Sequence, residues 1–196
     1  MIPVVLASTS RTRAALLSAA GLVFQVVDSG VDEQPIKRAG LGQGAPCGDI
    51  ALRLARARAL APDAPGALVI GSDQTMELDG QLLGKPATLA EARERLLALR
   101  GRRHRLHTAV AVARDGAVLW EERVTATLAV RGFSAGFLDR YLARNTEAAL
   151  ESPGAYRLEG EGLQLFDEVE GDHFGILGLP LVGLLACLRA EGALER

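Results

Sequence analysis

The sequence predicts an α/β domain, and three observations predict it. Residues 3–7 form a short apolar run that breaks into Ser8-Thr9-Ser10 and then into an Ala- and Leu-rich stretch, the pattern of strand, turn and helix. A second apolar run, residues 68–70, suits a buried strand and gives way to Gly71-Ser72-Asp73-Gln74. Two long β-prone runs, 107–113 and 118–130, meet at Asp115-Gly116 as an antiparallel hairpin would.

The chain of 196 residues is long enough for one substantial core, and a single domain spanning 1–196 is the expectation. It is 48% hydrophobic and 23% charged with a net charge of −2, which excludes a basic nucleic-acid-binding surface as its main theme. Cys47 and Cys187 are far apart and in no metal-ligand spacing, so they suit a reducing compartment as buried small side chains. The first residues carry no charged leader. The longest apolar stretch, 176–188, contains Gly178, Pro180 and Gly183 and is too short to span a bilayer. A cytoplasmic protein with no membrane and no nucleic-acid partner is expected.

In chain order, residues 3–7 read as a buried first strand, and residues 14–20 as a helix closed by Gly21. Between them stand three hydroxyls, Ser8, Thr9 and Ser10, and the arginines Arg11 and Arg13. Helix N-terminal N–H groups, hydroxyls and guanidinium groups together suit an anion such as phosphate. The same residues also suit a plain helix start, with Ser10 as N-cap and the arginines solvated. Residues 24–27 read as a second strand. After Val31-Asp32-Glu33, the Gly- and Pro-rich stretch to Gly48 reads as irregular. Residues 50–61 read as a helix whose arginines, Arg58 among them, look like a solvated face.

The run 68–70 places Asp73 at the mouth of a buried strand, where open α/β sheets hold ligands. A carboxylate there needs a metal, substrate or cation to offset its burial, or else it only turns the chain. Residues 75–83 read as a hairpin turning at Asp79-Gly80. The run from Gly80 to Lys85 is no phosphate-binding P-loop, because Pro86 follows the lysine. Thr88 with Glu91 makes a capping box for a helix to Leu99, ended by Gly101. Ser134 caps a helix to Arg144, residues 166–170 read as a strand, and 179–189 as a closing helix. His104, His107 and His173 have no metal-ligand spacing, and no nucleophile elbow or Cys/His pair is present.

Several of these pieces together resemble the Maf nucleoside triphosphate pyrophosphatases in order and spacing. They are Leu6-Ala7-Ser8-Thr9-Ser10 with Arg13 and Leu16-Leu17, then Val31-Asp32-Glu33, Gly71-Ser72-Asp73-Gln74 and Gly84-Lys85-Pro86. The glycine-rich segment 154–162 and Gly178-Leu179-Pro180-Leu181 complete the set. The resemblance implies an α/β fold related to inosine-triphosphate pyrophosphatases, with a long central mixed β-sheet, flanking helices and a nucleotide-binding cleft, usually in a homodimer. It implies hydrolysis of a nucleoside triphosphate between the α- and β-phosphates, with a divalent metal, usually Mg²⁺ and otherwise Mn²⁺.

Carried over by position, Asp73 is the expected general base, Glu33 and Asp73 the metal ligands, and Lys85 a further catalytic cation. Ser8, Ser10, Arg13 and Arg58 are the expected phosphate-binding residues, Arg58 standing where the family often has lysine. Thr12, Gln74 and Glu159 fall at specificity positions. Gly-Ser-Asp-Gln and Glu159 resemble the subgroup acting on 7-methyl-GTP, since glutamate accepts from the guanine ring N–H and amino group. Thr12 stands where close examples carry tryptophan, which could stack on a cationic methylated base. Two alternatives are a pyrophosphatase for dTTP and UTP, and a regulator of septum formation, to which some members of the family are linked. The main expectation is an enzyme that keeps modified nucleotides out of nucleic acid.

Overall fold

Alternation along the first strand sets the layers. In a computed structural model describing residues 2–195, β1 (Val4–Ala7) is buried at every position. Val4 and Leu6 join one core cluster, while Val5 and Ala7 join another, as the period of two along a strand requires. β1 pairs in parallel with β2 (Gln25–Val27) on one side and with β3 (Leu68–Leu78) on the other. α1 (Arg11–Ala19) links β1 to β2, and α2 (Glu33–Gly42) and α3 (Cys47–Leu60) link β2 to β3. The remaining strands are β4 (Gln81–Leu83), β5 (Arg103–Arg114), β6 (Ala117–Val130) and β7 (Phe166–Glu170). The sheet of seven strands runs β2-β1-β3-β5-β6-β7, with β4 pairing antiparallel to β3. It is a mixed sheet, as expected.

The chain forms two compact units: Met1–Gln74, His107–Thr125 and Asp172–Arg196 make the first, and Thr75–Leu106 and Ala126–Gly171 the second. In the first unit, Leu6, Leu68, Ile70, Val110 and Val112 pack with Leu17 of α1. Leu181, Leu184 and Leu188 of α8 (Leu181–Ala190) join the same cluster. On the other face, Ala109, Ala111 and Ala113 meet Ala51, Ala55 and Ala59 of α3. Small residues on both sides bring α3 close to the sheet. Gly71 shows how close: a Cβ there would lie 2.3 Å from the Ala55 carbonyl oxygen.

The second unit holds α4 (Leu89–Leu99), α5 (Ala135–Arg144) and α6 (Thr146–Glu151). Thr88 Oγ1 caps α4 by accepting the Glu91 N–H at 3.1 Å, and Ser134 caps α5. Its aromatic core sets Tyr156 edge-on to Phe166, with ring centroids 4.8 Å apart. The glycines of segment 154–162 let the chain coil around itself: Cβ atoms at Gly154 and Gly162 would collide with the Tyr156 ring and the Arg157 carbonyl. Buried His104 meets the Tyr156 hydroxyl at 2.6 Å through Nε2, and burial holds the imidazole neutral, its pKa lowered to about 4.

Two expectations are corrected. The stretch after Glu33, read as irregular, is helical through Gly42. Asp32 caps it by accepting the Gln34 N–H, Pro35 falls in the first turn where no intrahelical N–H is needed, and buried Gly40 accommodates Ile50. The polar run Gly71-Ser72-Asp73-Gln74 does not end the strand either. β3 continues through it to Leu78 and turns at Asp79 and Gly80, both at positive φ. Asp73 therefore sits in mid-strand, not at a strand mouth. The short helix α7 (His173–Ile176), capped by Asp172, leads into α8.

Candidate active site

The pleat of β3 sorts its four motif residues onto two faces. Gly71 and Asp73 face α3; Ser72 and Gln74 face the segment before α8. Asp73 is 5% exposed, and its Oδ1 lies 3.0 Å from Nη2 of Arg58, which projects from the last turn of α3. The same Nη2 contacts Glu33 Oε1, and Nη1 donates to the Ser72 carbonyl at 2.6 Å. One guanidinium thus bridges two carboxylates that lie 40 residues apart in sequence. The other oxygen of Glu33 accepts from Lys37 Nζ at 2.5 Å, one turn along α2.

Arg13 approaches the cluster from the first turn of α1. Its Nε donates to the Gly178 carbonyl at 2.8 Å and its Nη1 to Ser8 Oγ at 3.2 Å. Gly178 has φ +100, a conformation that favours glycine, and this turns its carbonyl toward Arg13 and toward Ser72 Oγ at 2.9 Å. Ser8 Oγ also accepts the Ser10 N–H, and Ser10 Oγ accepts the Arg13 N–H as N-cap of α1. The hydroxyl-rich turn therefore builds a short network that fixes a buried cation.

Burial lowers Arg13 to a pKa of about 10, while the negative charge of Asp73 acts against that fall. Burial also dominates at Asp73, pushing its carboxyl up; Arg58 and Arg13 oppose the rise and Glu33 adds to it. At Glu33 burial pushes upward too, but the hydrogen bond from Lys37 and the charge of Arg58 outweigh it and hold the carboxyl low. Two neighbouring carboxylates are thereby driven in opposite directions. Arg13, Arg58 and Lys37 outnumber the two carboxylates, so the cluster carries one net positive charge and suits an anionic ligand.

Of the expected site residues, Ser8, Ser10, Arg13, Glu33, Arg58 and Asp73 gather in the first unit. Gln74 lies on the opposite face of β3 from Asp73. Its amide nitrogen donates to Thr108 Oγ1 at 2.8 Å and faces the carbonyls of Gly175 and Ile176 at 3.1 and 3.0 Å. Thr12 is half-buried on α1. Lys85 and Glu159 belong to the second unit, both exposed, Lys85 after β4 and Glu159 in a turn. Among the described residues, no three His, Cys, Asp or Glu side chains group to hold a metal ion.

Sequence reading missed Lys37 as a site residue, as well as the part Gly178 plays in placing Arg13. The four-residue spacing from Glu33 to Lys37 was the available signal, concealed because that stretch did not read as a helix.

The family model described as Maf-like protein matches residues 3–191. A nucleoside triphosphate pyrophosphatase of Caulobacter vibrioides is 52% identical over 99% of this chain and 98% of its own length. A 7-methyl-GTP pyrophosphatase of Rhizobium meliloti is 48% identical over 97% of each chain. A solved HAM1 protein from Coxiella burnetii covers 66% of this chain and 73% of its own at 18% identity and a TM-score of 0.43, so kinship is carried by the sequence relatives. Among the described residues, no helix is long and apolar enough to cross a membrane.

Proposed function

This chain belongs to the Maf family, and from that premise we propose that it hydrolyses nucleoside triphosphates between the α- and β-phosphates, releasing a monophosphate and pyrophosphate. The observation that carries the reading is buried Asp73, raised in pKa and set against Arg58, Arg13 and Glu33. A carboxylate raised above its ordinary range is a better proton acceptor at neutral pH, and here it deprotonates or orients the attacking water. Arg13 and Arg58 offset phosphate charge, with Ser8 and Ser10 holding Arg13 in place as well as offering hydroxyls. Phosphoryl chemistry asks mainly for positioning and charge stabilisation, so no covalent nucleophile is required.

A divalent ion fits this donor set. Mg²⁺ is commonly held by one or two carboxylates together with substrate phosphates, and Glu33 and Asp73 supply two hard oxygen ligands in one cluster. Glu33 and Asp73 would hold it, and when bound it would neutralise charge on the reacting phosphates. Mn²⁺ satisfies the same ligands. Lys85 is assigned to charge neutralisation on the triphosphate.

Among nucleotides we favour 7-methyl-GTP. The name of the Rhizobium meliloti relative supports this choice, as does Glu159, whose carboxylate accepts from the guanine edge but repels the carbonyls of uracil. Thr12 offers no ring to stack on a methylated base, which keeps dTTP and UTP as the second reading. A homodimer working in the cytoplasm completes the proposal.

The test is a nucleotide panel with Mg²⁺, scored for pyrophosphate and monophosphate together. Equimolar release of both, fastest from 7-methyl-GTP, is the expected result. Release of orthophosphate instead, or no release from any nucleotide, overturns the reading.

A further inference from the structure

Both oxygens of Glu33 are occupied by cations of this chain: Oε1 by Arg58 and Oε2 by Lys37 at 2.5 Å. A dication that takes Glu33 as ligand therefore meets two positive charges already seated there. The two are not equally fixed. Arg58 is 13% exposed and is also anchored by the Ser72 carbonyl at 2.6 Å and by Asp73 at 3.0 Å. Lys37 is 29% exposed and reaches Glu33 from one turn along α2 on a flexible four-carbon stem. Its ammonium is the partner that can leave without disturbing the bridge between the carboxylates.

We propose that Lys37 is a further triphosphate-binding cation beside Arg13, Arg58 and Lys85, parked on Glu33 and released to the phosphates when a divalent ion takes that carboxylate. The exchange rests on the hydrolytic reading above, and the extra positive charge that a dication would bring to Glu33 in place of one ammonium is offset by the triphosphate. A dication entering at Glu33 would displace the Lys37 ammonium, which with its three donors would move to the anion that arrives with the metal. Lys37 thus does two things that oppose each other before substrate arrives. It keeps Glu33 ionised and oriented, and it competes with the metal for the same oxygens.

The competing account is an ordinary pair four residues apart on a helix, orienting Glu33 and nothing more. The two accounts predict opposite signs. If Lys37 only orients Glu33, Lys37→Gln weakens metal binding; if it competes, Lys37→Gln tightens it. Arg38, exposed on the same helix, supplies the charge control as Arg38→Gln.

Two measurements decide the matter. Mn²⁺ binding without nucleotide is titrated by electron paramagnetic resonance in wild type, Lys37→Gln and Arg38→Gln. The KM for 7-methyl-GTP, or for UTP if that is the nucleotide turned over, is then measured for each at saturating Mg²⁺. In Lys37→Gln, Mn²⁺ is expected to bind roughly two- to fivefold tighter, the scale of losing one partly exposed ion-pair competitor. The KM is expected to rise roughly three- to tenfold, the scale of one charge-assisted contact to phosphate. Arg38→Gln should change neither.

Unchanged or weaker Mn²⁺ binding in Lys37→Gln, an unchanged KM, or equal shifts in Arg38→Gln each overturn the proposal while leaving the hydrolytic reading intact. A wild-type protein that hydrolyses nucleotides yet binds no Mn²⁺ overturns the metal assignment and this exchange together. One that hydrolyses none overturns the hydrolytic reading itself and the exchange that rests on it.

Discussion

Replacing Gly71 by alanine tests how closely the wall of the site is built. A Cβ at that position would stand 2.3 Å from the Ala55 oxygen, 2.4 Å from the Ala59 nitrogen and 2.9 Å from the Ala59 Cα. Relaxed non-bonded contacts begin near ~3.5 Å, so strand and helix must separate by about 1 Å. All three atoms belong to the backbone of α3, and no side-chain rotation relieves the clash. α3 also carries Arg58, so its 3.0 Å contact to Asp73 and 2.6 Å bond to Ser72 stretch with the helix. Overpacking costs about 1–3 kcal/mol, and a backbone collision belongs at the upper end. For a chain of this length that lowers Tm by roughly 6–12 °C. Turnover measured well below the new Tm should fall by about 10- to 100-fold, the penalty expected for misplacing a binding group by ~1 Å. Calorimetry and a pyrophosphate assay read the two effects separately. A Gly71→Ala protein with wild-type Tm and turnover refutes the close approach of α3 to β3.

Three further outcomes follow from the same site. Asp73 must be ionised to accept a proton, so activity falls as pH drops through a pKa above the ordinary 3.8; since Arg58 lowers that pKa, Arg58→Gln should move the acid limb of the kcat/KM profile to higher pH. An acid limb that stays in place in Arg58→Gln argues against Asp73 as the base. Chelation with EDTA should abolish pyrophosphate release and added Mg²⁺ should restore it, whereas full activity in EDTA removes the metal from the account. Glu159→Gln should shift the nucleotide ranking from 7-methyl-GTP toward UTP, because an amide can donate to a uracil carbonyl where a carboxylate cannot. An unmoved ranking defeats the argument about base choice.

Strands and caps were legible where side chains repeat a local pattern. The β-prone runs 107–113 and 118–130 with Asp115-Gly116 between them, the capping pair Thr88 and Glu91, and the Ser134 cap carried through into β5, β6, α4 and α5. The hairpin at Asp79-Gly80 was legible, but the continuity of β3 through residues 71–74 was not, because a Gly-Ser-Asp-Gln run looks like a turn unless its charge and hydrogen bonds are satisfied from other parts of the chain. Arg58 and Ala109 supply those partners, and both are remote in sequence. α2 was hidden for a related reason: Pro35, Gly40 and Gly42 argue against a helix locally, and only the Asp32 cap and packing against Ile50 show why one forms.

The same division applies to the site. Asp73 and Arg13 were visible as a pattern of types, and Glu33 only through the family resemblance. Arg58 on spacing alone looked like part of a solvated helix face, but the structure makes it the bridge between Glu33 and Asp73. Gly178 could be recognised only as part of a motif. Its positive φ and the aim of its carbonyl at Arg13 are tertiary facts that no local pattern encodes.

In the proposed reaction Asp73 performs the proton-accepting step within this cluster of opposed charges. Its most direct test is the turnover of Asp73→Asn beside wild type, on the preferred nucleotide with saturating Mg²⁺ and with folding matched by circular dichroism. Turnover is expected to fall by roughly two to four orders of magnitude, the range for a lost acid–base group. Turnover equal to wild type in a folded Asp73→Asn protein contradicts it.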